Sequence, residues 1–388
     1  MDPSGWHTTA AHRCSAERKR ANGIDSGIAL FLNRIPRAGS SFHRAMFQTS
    51  PTFKPYSAYR GGHVQTVMGA LLPSGVAETS TRPDLTRVAL PLSGGDQLEA
   101  FFARSRNWRT VLLAHGLGGS VDSPYLCQAV DALLRSGCGV LAIQQRGSGG
   151  LLERTTRPYM TGHTDDIAAA IRWLRLAQPG VDLLAIGFSI SGNTLLKHLG
   201  NGRGDLPDAA IAVAPPVDLD GCSRDLLRMR SRAFDLWILR HCRRWIPSLR
   251  GEFAGPVRVP PWGSLRAFDE RYITPVWGFD SLEHYYRSAS AIHYVGEIET
   301  PTLVVHATDD PVVDARHLRR APWSSAVRVD RIPGGGHLGF LERDVHGGRS
   351  PWLARTLAHH ALSFGPSSRP NHLKSLSPVH AEMPCAAR

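Results

Sequence analysis

Leu183-Leu184-Ala185-Ile186-Gly187-Phe188-Ser189-Ile190-Ser191-Gly192-Asn193 decides the fold of this chain. Four apolar residues run into Gly-x-Ser-x-small, and Thr194 to Leu199 then reads as a helix. A strand, a tight turn with serine at its tip and a helix make a nucleophile elbow. The serine backbone must be strained so that its hydroxyl projects clear of both elements, and small residues two positions either side let them pass closely. Gly187 fills the first small position; Ser191 fills the second, where glycine is usual, with Gly192 beside it. The same letters also suit an ordinary β-turn-α connection with a capping serine, so the surroundings must choose.

Strands and helices alternate on both sides of the elbow. Thr86 to Leu92 and Gln97 to Ala103 read as a hairpin turned by Ser93-Gly94-Gly95-Asp96. Thr110–Ala114, Gly139–Ile143, Val181–Ile186, Ala209–Ala214, Thr302–His306 and Ala326–Ile332 are short apolar runs of the buried parallel type. Between them, Asp122–Arg135 carries apolar residues at Leu126, Val130 and Leu133–Leu134, as a helix does. Thr164–Ala177 is a second helix, capped by Thr164 and with Asp165 and Asp166 at the positive end of its dipole. This order predicts βαβ units, a mostly parallel doubly wound sheet and an α/β fold. Between Asp220 and Thr300 the alternation stops, and Leu226–Leu249 is rich in Leu, Trp and Arg at helical spacing. We expect an inserted helical cap over 220–300 within an α/β domain spanning 51–364. Trp237, Leu239 and Trp245 are expected to pack in it; lining an acyl pocket or touching a membrane is the alternative. Residues 1–50 and 365–388 read as disordered extensions, with a start as late as Met46 compatible with the sequence.

Composition narrows the function classes. Hydrophobic content of 42% with 20% charged residues describes a globular protein. No apolar run approaches the length of a membrane span, and Ile28–Leu32 is too short for a secretory signal core. Six cysteines, at 14, 127, 138, 222, 242 and 385, form no C-x-x-C pair and no metal spacing, which predicts reduced thiols, a cytoplasmic setting and no metal or other cofactor. The net charge of +12 is concentrated in residues 1–60 and 220–272 rather than spread over a face, and no nucleic-acid motif is present. The basic cap admits weak peripheral contact with anionic lipid as an alternative to a solvated surface.

The chemistry lies at the carboxyl ends of the strands, where catalytic groups of such sheets sit. A serine hydroxyl needs a base within hydrogen-bond reach and a carboxylate to orient that base. In the α/β-hydrolase pattern they follow in the order Ser, Asp, His. Ser189, Asp310 and His337 occur in that order, each after a predicted strand. Asp309 competes for the acid; Asp310 is preferred because Pro311-Val312-Val313 follows it. The oxyanion donors are expected from the backbone N–H of Ile190, after the nucleophile, and of Leu117, in the loop His115-Gly116-Leu117-Gly118-Gly119. That loop lacks dinucleotide-binding spacing.

With these residues assembled, the chain resembles the YheT-like group of α/β-hydrolases, related to α/β-hydrolase-domain esterases that carry membrane anchors in eukaryotes. The resemblance covers Phe53 to Leu341. Its marks are Gly62-His63-Val64-Gln65-Thr66, His115-Gly116-Leu117-Gly118-Gly119-Ser120, Arg146-Gly147, the Gly162/Thr164/Asp166 stretch, Gly187-Phe188-Ser189, His284-Tyr285-Tyr286, Asp309-Asp310-Pro311 and Gly335-Gly336-His337-Leu338-Gly339-Phe340. It implies a serine esterase acting on short- to medium-chain acyl esters, without a cofactor. Two departures stand out: Ile190-Ser191 where the group has Leu-Gly, and Gln144-Gln145-Arg146-Gly147 where it often has Asn-Phe-Arg-Gly. The extension at the N-terminus lacks a recognisable anchor. An acyltransferase using the same triad, or a hydrolase fold kept as a binding protein, are the competing expectations.

Overall fold

A computed structural model of the chain describes residues 47–148, 155–243, 263–343 and 349–363. The expected extensions at 1–50 and 365–388 lie almost wholly outside the described residues, as do Arg244 and Trp245 of the cap.

Eight strands form one sheet. They are β1 (Thr86–Pro91), β2 (Gln97–Ala103), β3 (Arg109–Ala114), β4 (Gly139–Ile143), β5 (Asp182–Phe188), β6 (Ala209–Val213), β7 (Thr302–Ala307) and β8 (Val327–Ile332). Their order is β1-β2-β4-β3-β5-β6-β7-β8. The hairpin strands pair antiparallel, β2 meets β4 antiparallel, and every other neighbouring pair is parallel. β3, β4, β6 and β7 are buried along their whole length, which is why they read as unbroken apolar runs rather than alternating ones.

Alternation survives inside those runs, because successive side chains point to opposite faces. Val111, Leu113, Val140, Ala142, Leu184 and Ile186 enter one core. It is completed by helix α2 (Pro124–Arg135) and by the terminal helix Trp352–Ser363. Leu112, Ala114, Leu141, Ile143, Leu183 and Ala185 enter the core on the opposite face, under α3 (Asp165–Ala177) and α4 (Ile190–Asn201). Each fully buried Leu, Ile or Val contributes about 1.5–3 kcal/mol. Together these two cores hold the strand ends that carry the site.

The helical insertion follows β6. Among the described residues it contains α5 (Leu219–Leu226), α6 (Arg232–Cys242), α7 (Leu265–Phe268), α8 (Thr274–Val276) and α9 (Leu282–Ala289), with a π-turn, Asp269–Ile273, joining α7 to α8. Asp218, Ser264 and Ser281 cap α5, α7 and α9 with side-chain acceptors. A third apolar cluster, including Leu239, Phe268, Tyr272, Ile273, Tyr285 and Tyr286, joins these helices to Ile190 beside the nucleophile.

Several expectations need correction. Thr164 precedes α3 but makes no side-chain cap bond, because its backbone is already helical (φ −84°, ψ −15°). Asp166 in the first turn instead takes a bidentate contact from Arg146, whose remaining nitrogen reaches Asp96 at 2.6 Å. Leu239 is buried, but Trp237 is 47% exposed, one helical position off the buried stripe of α6. Helix α1 (Gly62–Leu71) and the short pair β9 (Leu341–Arg343) and β10 (Arg349–Pro351) had no sequence assignment.

Candidate active site

The elbow has the geometry that its residues suggest. Ser189 sits at φ 51°, ψ −118°, between the end of β5 and the start of α4. This is a strained region for a residue with a side chain. It is held there by Ser189 N–H donating to Val213 O at 2.7 Å. A Cβ on Gly187 would lie 2.5 Å from Ser191 O, so strand and helix cross too closely there for any side chain. Ser191 is tolerated at the second small position because its side chain points away from that crossing.

Ser189, His337 and Asp310 come together from three separate loops. His337 Nε2 lies 2.9 Å from Ser189 Oγ, and His337 Nδ1 lies 2.8 Å from Asp310 Oδ2. The other Asp310 oxygen accepts the N–H groups of Val312 (2.8 Å) and Val313 (2.9 Å). Burial opposes the charge on Asp310. The charge and hydrogen bond of His337 outweigh it, and the carboxyl stays below its ordinary range. Asp309 points elsewhere: its Oδ1 accepts Gly336 N–H at 2.9 Å.

The histidine loop rests on α1, a support that the sequence reading left without a role. Thr66 Oγ1 accepts His337 N–H at 2.8 Å and donates to Gly62 O at 2.6 Å. Gln65 brackets Leu341, accepting its N–H at 2.7 Å and donating to its carbonyl at 3.1 Å. A Cβ on Gly62 would fall 1.8 Å from Asp309 O, which explains glycine at the head of the helix. Gly62-His63-Val64-Gln65-Thr66 was legible as a distinctive stretch. Its contacts are some 250–280 residues away in sequence, and nothing local announces them.

The loop carrying Leu117 lies against the nucleophile. A Cβ on Gly116 would lie 3.2 Å from the Ser189 Cβ, so the His115–Leu117 loop abuts the nucleophile. Among the described residues, no acceptor takes the N–H of Leu117 or Ile190. The loop is fixed from behind. Gly116 N–H donates to Tyr125 Oη at 2.8 Å. Gln145 N–H donates to His115 Nε2 at 3.2 Å, so Nδ1 carries the proton and donates to Gly116 O at 2.9 Å. Burial holds His115 neutral, its pKa pushed down to about 4 against the Gly116 bond that raises it.

Gln145 and Ser191, the two departures from the group's usual residues, meet here. Gln145 Nε2 donates to His115 O at 2.6 Å and to Ser191 Oγ; Ser191 Oγ donates to the same carbonyl at 2.6 Å. One carbonyl thus ties the start of α4 to the loop that carries Leu117. Ser191→Gly and Gln145→Leu are each expected to lower kcat about tenfold with little change in KM, as expected when a buried hydrogen bond that positions a donor is lost. The double variant should fall short of the product of the two, since both bonds end on His115 O. Steady-state kinetics on a soluble ester checks this. Losses confined to KM would separate the pair from the oxyanion loop.

A protein-family model described as the alpha/beta hydrolase fold matches residues 109–344. The esterase YheT of Escherichia coli is 30% identical over 307 residues, covering 76% of this chain and 88% of its own. The chain belongs to the α/β-hydrolase family, in the group of YheT-like esterases. The medium-chain fatty acid ethyl ester synthase/esterase 2 of Saccharomyces cerevisiae is 27% identical, over 66% of this chain and 62% of its own. Phospholipase ABHD3 of Mus musculus is also 27% identical, over 63% and 61%. The chain therefore spans about three fifths of the length of these two relatives. Similar solved structures include a puromycin-hydrolyzing peptidase of Mycobacterium tuberculosis (18% identity, TM-score 0.49, 73% of this chain and 40% of its own). A Pyrococcus furiosus esterase is similar at 18% identity and TM-score 0.47, over 72% and 93%. At these values the likeness is one of outline alone.

In this α/β-hydrolase Ser189 and residues of the cap line one cavity of about 70 Å³. Leu117, Ile190, Leu219, Leu226, Phe268 and Val313 supply much of its apolar wall. No group of His, Cys, Asp and Glu with metal-binding geometry occurs among the described residues, and no helix among them is long and apolar enough to cross a membrane.

Proposed function

We propose that this α/β-hydrolase is a serine esterase that cleaves carboxylic esters through an acyl-enzyme on Ser189, with His337 as base and then acid and Asp310 orienting it. The observation that carries the reading is the continuous chain from Asp310 through His337 to Ser189 Oγ, at 2.8 and 2.9 Å, on a strained elbow. Such a chain makes a hydroxyl nucleophilic, and the imidazolium it forms is stabilised by the buried carboxylate. Leu117 and Ile190 N–H groups would receive the oxyanion. The named activities of the relatives support esters as substrates. Short- to medium-chain acyl groups suit the mostly apolar cavity and the name of the yeast relative. The four described cysteines are unpaired, which fits a reducing, cytoplasmic setting.

That same relative is named as a synthase as well as an esterase, so an alcohol acceptor in place of water is the second reading. A p-nitrophenyl ester presented with and without added ethanol tests both. Free acid as the main product, with a transient acyl adduct on Ser189 by mass spectrometry, supports the esterase. Ethyl ester as the main product at modest ethanol supports acyl transfer. Turnover without any adduct, and unaffected by Ser189→Ala, would sink both.

A further inference from the structure

The cavity above Ser189 is mostly apolar; Tyr159 and Thr161 border it from outside the cap, and, among the described residues, its one carboxyl lies at the cap end. There Asp269 enters its wall, together with the ring of Tyr286. Asp269 opens the π-turn between α7 and α8, where Thr274 N–H and Oγ1 both bond to its carbonyl oxygen, the latter at 2.9 Å. A π-turn inserts an extra residue into a helix and re-aims a side chain, and such turns recur at functional sites. One carboxyl oxygen of Asp269, Oδ2, accepts the Tyr286 O–H at 2.8 Å. Among the described residues, no group bonds to the other.

Arg266 is near but turned away. Its guanidinium contacts Asp220 at 2.6 Å, Ser223 Oγ at 3.0 Å and Glu283 at 3.7 Å, and it lies over the Tyr286 ring at 5.4 Å. Burial raises the Asp269 carboxyl to a pKa of about 7, against the Tyr286 bond and the charge of Arg266, which lower it. Both protonation states are therefore populated near neutrality. A plain alkyl chain filling this cavity strips water from the second oxygen and returns no partner, which is costly for a polar group. A hydroxyl returns one in either state, donating to the carboxylate or accepting from the acid.

We infer that Asp269 and Tyr286 form a polar subsite that binds a hydroxyl of the substrate, so that the enzyme takes hydroxylated aliphatic esters in preference to their plain counterparts. This rests on the esterase reading above and refines its substrate class. Ser189 and Asp269 line one cavity, so a single substrate can reach both. The hydroxyl can sit on the acyl chain or on the alcohol, and the experiment separates these sources.

Two series are measured by kcat/KM. In one, p-nitrophenyl alkanoates carry a hydroxyl moved step by step along the chain, each against its plain parent. In the other, hydroxyalkyl esters of a plain acid are set against the matching alkyl esters. The wild type should prefer a hydroxylated member of one series by at least about tenfold, the scale of one buried hydrogen bond. Asp269→Leu should bring that ratio to one or below. Asp269→Asn, which keeps the shape and the hydrogen-bonding capacity, should retain it. Ratios within one variant are independent of how much of it is active, and Asp269→Ala replaces the leucine variant should that not accumulate. Ratios near one at every position in both series overturn the inference while leaving the esterase intact, as does a preference that Asp269→Leu leaves unchanged. Absence of any Ser189-dependent turnover overturns the esterase reading and this subsite with it.

Discussion

Ser189→Ala is expected to abolish fluorophosphonate labelling and to lower kcat on a soluble ester by about 10⁶, the scale seen when the serine of an unrelated protease triad is removed. The expectation follows from the elbow. Ser189 holds φ 51° although it carries a side chain, and only a few forces keep it there: the close crossing at Gly187, the bond to Val213 O and the packing of Phe188 and Ile190. Strain of this kind costs on the order of 1–3 kcal/mol and persists when the surroundings over-determine it. Alanine removes the hydroxyl and leaves the turn in place, so the variant should fold and melt like the wild type. A labelled Ser189→Ala protein would move the nucleophile elsewhere.

Asp310→Asn should lower kcat by about 10⁴, the magnitude for the corresponding substitution in a serine protease, because the amide cannot hold the imidazole in the tautomer that accepts the serine proton. Asp310 has no side-chain exposure and sits 2.8 Å from His337 Nδ1, so water cannot replace it. Asp309→Asn is expected to cost tenfold or less. Its carboxylate accepts one N–H, from Gly336, and an amide oxygen can still accept that bond at the loss of its charge assistance, worth about 1 kcal/mol. Single-turnover acylation rates of the two variants rank them directly. A larger loss for Asp309→Asn would reassign the acid.

The difference between the two aspartates shows where reading along the chain stops. Both follow β7, both are acidic and both precede Pro311; side-chain direction, set by contacts with Gly336 and His337, separates them. Thr164 is a similar case in a helix. Its residue type suits an N-cap, yet the backbone turns helical one residue early, and Arg146 draws Asp166, two residues on, into a buried ion pair with it. Trp237 and Leu239 stand two apart on α6, and a helical periodicity puts only one of them inward.

From the sequence alone came the features whose causes are local. Unbroken apolar runs between helical patterns determined a buried parallel sheet, because a strand covered on both faces has no polar side to show. Gly187-Phe188-Ser189 marked the elbow, because close crossing and positive φ restrict residue type at a few adjacent positions, and the alternating strands and helices around it chose that reading over an ordinary turn. The order Ser189, Asp310, His337 named the groups that the structure brings together. Tertiary structure alone decided the rest: α1 beneath the histidine loop, Gln145 and Ser191 meeting on one carbonyl, and Asp269 entering the wall of the cavity above the serine. Each of these depends on contacts between residues dozens to hundreds of positions apart. A bond between such residues leaves no periodicity and no spacing in the chain, because it is the packing of the whole sheet and cap that brings its partners within reach.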